Sequence, residues 1–231
     1  MPTPSYIAVN IDIIDSRSID SDHRSALQHS LRALVERLQA TVQQAAQPAL
    51  VRGDELQFLV QRPGAALEIF WRALFDLHPY GFRAGFGVGA ISTRVRDLSE
   101  TSTLGLDGPC YHAARRAINA AKRSQSRLCC VYGGRRHAKL NARWLVQDFN
   151  HIARLQSALI DVDLSKPSHG KRIEAMSLFW NGMPVTDIAE TLHKSKGTIS
   201  TLLRRAHADV LRASAMRQCI HLRALLRAAR A

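Results

Sequence analysis

The sequence predicts an α+β protein: an antiparallel sheet with helices on one face, followed by a small all-α unit. Three observations predict it. Residues 6–14 alternate in the manner of a strand, two long stretches repeat apolar residues every three or four positions, and a Pro-, Ser- and Gly-containing segment at 161–171 precedes a basic helical third. With 46% hydrophobic and 22% charged residues, the composition is that of a folded water-soluble chain.

The first predicted strand runs from Tyr6 to Ile14. One of its faces carries β-branched residues, namely Ile7, Val9, Ile11 and Ile13. The other face carries Ala8, Asn10 and Asp12. The strand therefore presents an acid at its end.

A helix and a hairpin follow this strand. Leucines at helical spacing predict an amphipathic helix over 24–45. Two short apolar segments, 50–51 and 56–60, flank a Gly-containing connection that is typical of a β-hairpin. Asp54 and Glu55 lie at its tip.

Residues 82–91 predict another strand, preceded by a second helix whose apolar side extends from Leu67 to Leu77. The strand places Gly85, Gly87 and Gly89 on one face, where side chains are absent and another group can approach closely. The missing side chains leave a groove on this face, and either a packed helix or a bound ligand can occupy it.

The remaining elements are a helix over 108–123, a short strand over 127–132 and a long helix over 138–160. The resulting β-α-β-β-α-β order, with an added helix and strand, is ferredoxin-like. The long helix either packs onto the first domain or pairs with its copy in a dimer. We predict a sheet domain at 1–137, a connecting helix at 138–164 and a helical domain at 165–231.

Charge points to polyanionic partners. The chain holds 32 Lys and Arg against 19 Asp and Glu, a net charge of +13, and residues 165–231 hold 12 against 4. A basic surface that serves only solubility is the alternative.

The segment 185–205 has the spacing of a helix-turn-helix. Ile188, Leu192, Ile199 and Leu202 are predicted inward, with the small Ala189 where the helices cross. Ser195 is the predicted N-cap of the second helix. The candidate DNA-contacting residues are Lys194, Ser195, Lys196, Thr198, Ser200, Thr201, Arg204 and Arg205.

This segment resembles the tri-helical modules of sigma-factor region four and of LuxR-type regulators. His193 stands where that pattern often has Gly. A tri-helical protein-binding module is the alternative. The tail over 212–230 continues as a basic helix that either adds phosphate contacts or forms a dimer seam.

The acids Asp12, Asp54 and Glu55 are the candidate metal ligands. In a β-α-β-β unit the first strand lies beside the hairpin, so these carboxylates are expected to converge, and carboxylates can hold Mg²⁺ against a triphosphate. Structural turn acids are the alternative interpretation.

Four stretches carry a family resemblance: IDIIDSR (11–17), RGDEL (52–56), FRAGFGVG (82–89) and DGPCYHAAR (107–115). They resemble the palm domains of class III nucleotide cyclases and diguanylate cyclases and, more closely, the SatD family. The resemblance implies metal binding by Asp12 and Asp54, with Glu55 as the diguanylate-type counterpart, and a catalytic set of Asp12, Asp54 and Arg115. Tyr111 and Leu50 depart from the class III pattern, which has Asn and Lys there.

Two functions from different classes follow. The first is a DNA-binding transcriptional regulator that binds duplex DNA as a homodimer and whose cyclase-like domain binds a nucleotide with Mg²⁺. The alternative is an active nucleotide cyclase regulated by its helical domain, and a scaffold for partner proteins is a third. Four cysteines without C-x-x-C spacing, an acidic N-terminal stretch and the absence of a membrane-length apolar run favour the cytoplasm.

Overall fold

The computed structural model describes residues 4–51, 53–134, 136–164, 166 and 169–230. Its sheet contains β1 (Tyr6–Ile13), β2 (Ala49–Val51), β3 (Glu55–Val60), β4 (Phe82–Gly89) and β5 (Leu128–Tyr132), in the order β2-β3-β1-β4-β5. The helices are α1 (Ser21–Thr41), α2 (Pro63–Asp76), α3 (Pro109–Arg123), α4 (Arg136–Asp163), α5 (Gly170–Trp180), α6 (Val185–Thr191), α7 (Lys196–Arg205) and α8 (Ala208–Arg230). The predicted elements and their order are confirmed.

The sheet is mixed, which corrects the prediction of a purely antiparallel sheet. β1 pairs antiparallel with β3 and β4, but β4 pairs parallel with β5. The reason is the connection between the last two strands, because α3 carries the chain back across the sheet before β5 begins.

Helices cover both faces of the sheet, so the prediction of helices on one face was wrong. The β-branched side chains of β1 are buried in one cluster with the leucines of α1 and the aromatic residues of α2. On the opposite face, Tyr6 and Ala8 are buried with Cys110, Tyr111 and Ala114 of α3.

The glycine face of β4 explains why α3 lies there. A Cβ on Gly85 would stand 2.6 Å from the carbonyl oxygen of Ala114 and 2.7 Å from the backbone nitrogen of Ile118. A Cβ on Gly87 would collide with the backbone of Cys110 and Ala114. The groove therefore holds a helix, as one of the two interpretations proposed.

The C-terminal helices pack against the sheet-bearing part of the chain. Trp180 of α5 stacks near Trp71 of α2 with ring centroids 4.2 Å apart, and α8 packs along α4 and reaches β4. One buried cluster includes residues on both sides of the predicted linker 161–171. Within that linker, residues 161–163 complete α4, while 165, 167 and 168 lie outside the described residues.

None of the described helices combines the length and the hydropathy that crossing a membrane requires.

Candidate functional site

Two of the predicted carboxylates meet at the β1–β3 pair. Asp12 lies directly opposite Glu55 in the strand register, so their side chains share the face that α3 covers. Glu55 is buried and Asp12 is half-buried. The first strand therefore lies beside the hairpin, as predicted, because β1 pairs with β3.

Basic side chains of α3 bind both carboxylates. Lys122 Nζ lies 2.8 Å from Asp12 Oδ2, and Arg115 Nη1 donates to Glu55 Oε2 at 3.2 Å. Asn10 Nδ2 donates to the other Glu55 oxygen at 3.0 Å. Arg115 and Lys122 are seven residues apart and therefore lie on one side of the helix. That spacing was the sequence signal for these pairs, which sequence reasoning missed.

Asp54 has a different environment. Its Oδ2 accepts a hydrogen bond from the Ser16 hydroxyl at 2.6 Å. Both residues line a cavity of about 270 Å³ between the β1–α1 connection and the hairpin. The lining residues are Ser16, Arg17, Arg24, Leu27, Gln28, Gly53 and Asp54. Sequence reasoning missed Arg17 and Arg24 because they become neighbours of Asp54 only through the strand pairing.

Each carboxylate that was predicted to bind a metal ion has a side-chain partner in the structure. Within the ranges that the structure describes, no group of three or more His, Cys, Asp or Glu side chains is placed to hold a metal ion. Asp12 and Glu55 face their α3 cations, while Asp54 bonds to Ser16. Mg²⁺ binding by Asp12, Asp54 and Glu55 stays a prediction, since each of these carboxylates is engaged by another side chain in this arrangement.

The buried cysteines are poor nucleophiles. Burial raises the pKa of Cys110 to about 12 and the pKa of Cys129 to about 11, so both thiols stay protonated near neutral pH. Thiolate chemistry at these positions is therefore not supported.

The second candidate site is the α6–α7 unit. Ile188 and Ala189 of α6 are buried together with Ile199 and Leu203 of α7. The prediction placed Leu202 inward, but Leu203 is the buried leucine and Leu202 is half-buried. The four buried side chains fix α7 against α6.

The turn between α6 and α7 contains the N-cap that the sequence predicted. Ser195 has the extended backbone of an N-cap, and its Oγ accepts a hydrogen bond from the Thr198 backbone N–H at 3.1 Å. His193 adopts a left-handed conformation with φ +50°. This is the position that often carries Gly in the modules that the segment resembles.

We expect His193→Gly to stabilise the protein by about 0.5–1 kcal/mol, since a left-handed backbone strains every residue that has a Cβ. Thermal or urea unfolding of the full chain measures this change. His193→Ala is the matched control, because it shortens the side chain but keeps the Cβ. Equal stability of the Gly and Ala variants would contradict the role assigned to the left-handed turn.

The predicted DNA-contacting residues line the outer side of this unit. Thr201 is half-buried and the others are exposed, namely Lys194, Ser195, Lys196, Thr198, Ser200, Arg204 and Arg205. Among the described residues, no carboxylate forms an ion pair with Lys194, Lys196, Arg204 or Arg205. Their charge is therefore directed at solvent.

Comparisons with known proteins gave one family match and a structural similarity. A family model described as "SatD family" matches residues 6–127. Among solved structures, one titled "A Novel Interaction Mode between a Microbial GGDEF Domain and the Bis-(3, 5)-cyclic di-GMP" is similar at 20% identity over 55% of this chain and 76% of that chain, with a TM-score of 0.39. No curated protein matches the chain.

Proposed function

The chain belongs to the SatD family, whose model matches residues 6–127, and we propose a function from the geometry of the helices that follow the matched residues. The protein is a DNA-binding transcriptional regulator, and α7 contacts the major groove of duplex DNA. The proposal rests on one observation: the exposed face of α7 combines short hydrogen-bonding side chains with cations that no carboxylate neutralises among the described residues.

The placement of side chains along α7 suits a groove-reading helix. Thr198 and Ser200 are exposed in the first half of the helix, where short hydroxyl side chains can reach base edges. Arg204 and Arg205 are exposed in its last turn, and Lys194 and Lys196 flank its start. Cations at both ends of a helix in the groove can neutralise the phosphates on either side.

The packing of α6 against α7 favours DNA over a partner protein. A protein-binding helix is expected to present large apolar side chains at its centre. On α7 the larger apolar residues are buried or half-buried, and the exposed residues are Lys, Gly, Thr, Ser and Arg. Such a surface gains little from apolar burial and much from a polyanion.

Selection from sheared genomic DNA by the purified full chain tests the proposal. We expect recovered fragments to share a short motif, and a duplex carrying it to bind at least about 1,000-fold more tightly than random duplex. Fragments without a shared motif, together with no measurable affinity for any duplex at low salt, would overturn the proposal.

The cavity beside Asp54 supports a second candidate function, binding of a nucleotide phosphate as an effector. Arg17 and Arg24 are exposed on its rim, and two guanidinium groups suit a phosphate. Arg24 Nη2 also donates to the backbone oxygens of Arg17 and Ile19, so it holds the loop as well. Arg17 is therefore the cleaner residue to replace.

We expect Arg17→Ala to weaken ATP or GTP binding about tenfold or more, because one charged hydrogen bond contributes about 1.5–3 kcal/mol. Calorimetric titration of the full chain, with and without Mg²⁺, measures the change. Arg94→Ala removes an exposed arginine outside this cavity and is the matched control. Binding that both variants retain in full would place the nucleotide elsewhere.

Catalytic turnover by Asp12, Asp54 and Arg115 is the less favoured alternative. Arg115 is engaged with Glu55 and Asp12 with Lys122, so these groups neutralise one another instead of a substrate. Incubation with the four nucleoside triphosphates and Mg²⁺ or Mn²⁺ tests it. A cyclic product that Asp12→Asn abolishes would favour the enzyme.

A further inference from the structure

A cavity of about 530 Å³ is lined by residues of α5, α6, α7 and the start of α8. Its wall is largely apolar, because Phe179, Val185 and Leu203 line it together with Val210, which is 57% exposed. Small-molecule sites have volumes of about 300–1,000 Å³ and are mostly apolar, with a few polar groups that orient the ligand. The size and the lining of this cavity are those of a small-molecule site.

Side chains of opposite charge line the same cavity. Arg204 from the last turn of α7 and Asp209 from the first turn of α8 both line it, and both are exposed. Across the described residues, neither of these side chains takes part in an ion pair, not even with the other. A ligand that carries one anionic and one cationic group can therefore pair with both.

The turn and the aromatic ring that line the cavity are held by other parts of the chain. His207, in a left-handed conformation with φ +51°, forms the turn between α7 and α8. Its Nε2 lies 3.2 Å from Oδ2 of Asp163, which ties the turn to the end of α4. The guanidinium carbon of Arg212 lies over the Phe179 ring, 5.3 Å from its centroid. A site that is held in place before binding loses less conformational entropy when a ligand enters.

We propose that this cavity binds a free amino acid with an apolar side chain. Arg204 pairs with the carboxylate, Asp209 pairs with the ammonium group, and the apolar side chain contacts Phe179 and Leu203. An apolar carboxylic acid or an apolar amine satisfies only one of the two protein charges and brings the other close to a group of like charge or to none. The pair of charges therefore selects a zwitterion, and the apolar wall selects its side chain.

The cavity also shares residues with the predicted DNA-contacting side of α7, and this step rests on the proposed function. Ser200 and Arg204 lie one turn apart on α7, line the cavity and belong to the candidate DNA contacts. A ligand carboxylate bound to Arg204 removes a cation that would otherwise bind a phosphate. The amino acid and duplex DNA therefore weaken each other's binding, and by linkage they do so by the same factor.

Calorimetric titration of the full chain without DNA tests the binding proposal. The probes are L-leucine, L-phenylalanine and L-tryptophan, each beside its analogue without the amino group and its analogue without the carboxyl group. We expect at least one amino acid to bind with a dissociation constant below about 1 mM. Both of its analogues should bind at least about tenfold more weakly, since each lacks one charged hydrogen bond.

Substitution of the two charged residues locates the site. Arg204→Gln and Asp209→Asn should each raise the dissociation constant of the amino acid at least about tenfold. Arg205→Gln is the matched control, because it removes an exposed arginine that neighbours Arg204 but does not line the cavity, and it should bind like wild type. Absence of binding by all three amino acids would overturn the proposal. So would analogues that bind as tightly as the amino acid, or binding that Arg204→Gln and Asp209→Asn leave unchanged.

Fluorescence anisotropy with the selected duplex tests the competition separately. A saturating concentration of the amino acid should raise the dissociation constant of the duplex about tenfold, the effect of one lost phosphate contact. An amino acid that binds without changing the affinity for the duplex refutes the competition alone. A chain that binds the amino acid but no duplex refutes the proposed function alone.

Discussion

Replacing Lys196, Arg204 and Arg205 together by alanine is expected to weaken binding to the selected duplex about 100-fold or more. Each of these exposed side chains is predicted to bind a phosphate, and removing one such interaction weakens binding by about 1–2 kcal/mol. The slope of log K against log salt should fall by about 2.7, because three fewer counterions are released. Fluorescence anisotropy at several salt concentrations measures both quantities.

A second triple variant, with the same net charge as the first, is the control for this prediction. Arg94→Ala, Arg96→Ala and Arg116→Ala remove three exposed arginines from the sheet-bearing part. This control should keep affinity within about threefold of wild type. Equal decreases in affinity in the two triple variants would mean that overall charge, and not α7, drives binding.

Gly87→Ala is expected to destabilise the fold by about 3 kcal/mol or more, and Gly87→Val to prevent folding. The added Cβ would fall on the backbone of Cys110 and Ala114, and helix backbone cannot rotate away as a flexible side chain does. α3 would have to move off β4, which would also break the Asp12–Lys122 and Glu55–Arg115 pairs. Urea unfolding of the full chain measures the decrease in stability.

Gly64→Ala is the matched control, because a Cβ at that position of α2 meets nothing within 4 Å. It should leave stability unchanged or raise it by up to about 1 kcal/mol, since Ala is the better helix former. A Gly87→Ala variant whose free energy of unfolding stays within about 1 kcal/mol of wild type would show that α3 does not lie as closely on β4 as described.

Sequence patterns predicted the elements well because those patterns are local. Alternation in β1, leucine spacing in α1 and the cap at Ser195 each involve neighbours within a few residues. The faces of the sheet were harder to predict. The glycines of β4 indicated a groove, but only the small side chains of α3, such as Ala113 and Ala117, indicate that a helix fills it.

The candidate sites, too, were predictable only where they depend on residues close together in the sequence. The exposed face of α7 was predictable, because burial within a helical hairpin follows from residue spacing. The partners of Asp12 and Glu55 were not, since they depend on where α3, a helix much later in the chain, crosses the sheet. Stacking of Trp180 on Trp71 is a long-range contact of the same kind.

Photo-crosslinking of the full chain to its selected duplex, followed by mass spectrometry of the crosslinked peptides, tests most directly whether α7 contacts DNA. The account predicts that crosslinks concentrate in peptides within 194–205, and that an excess of unlabelled specific duplex removes them. Crosslinks confined to residues 6–132, with none from α7, would contradict it.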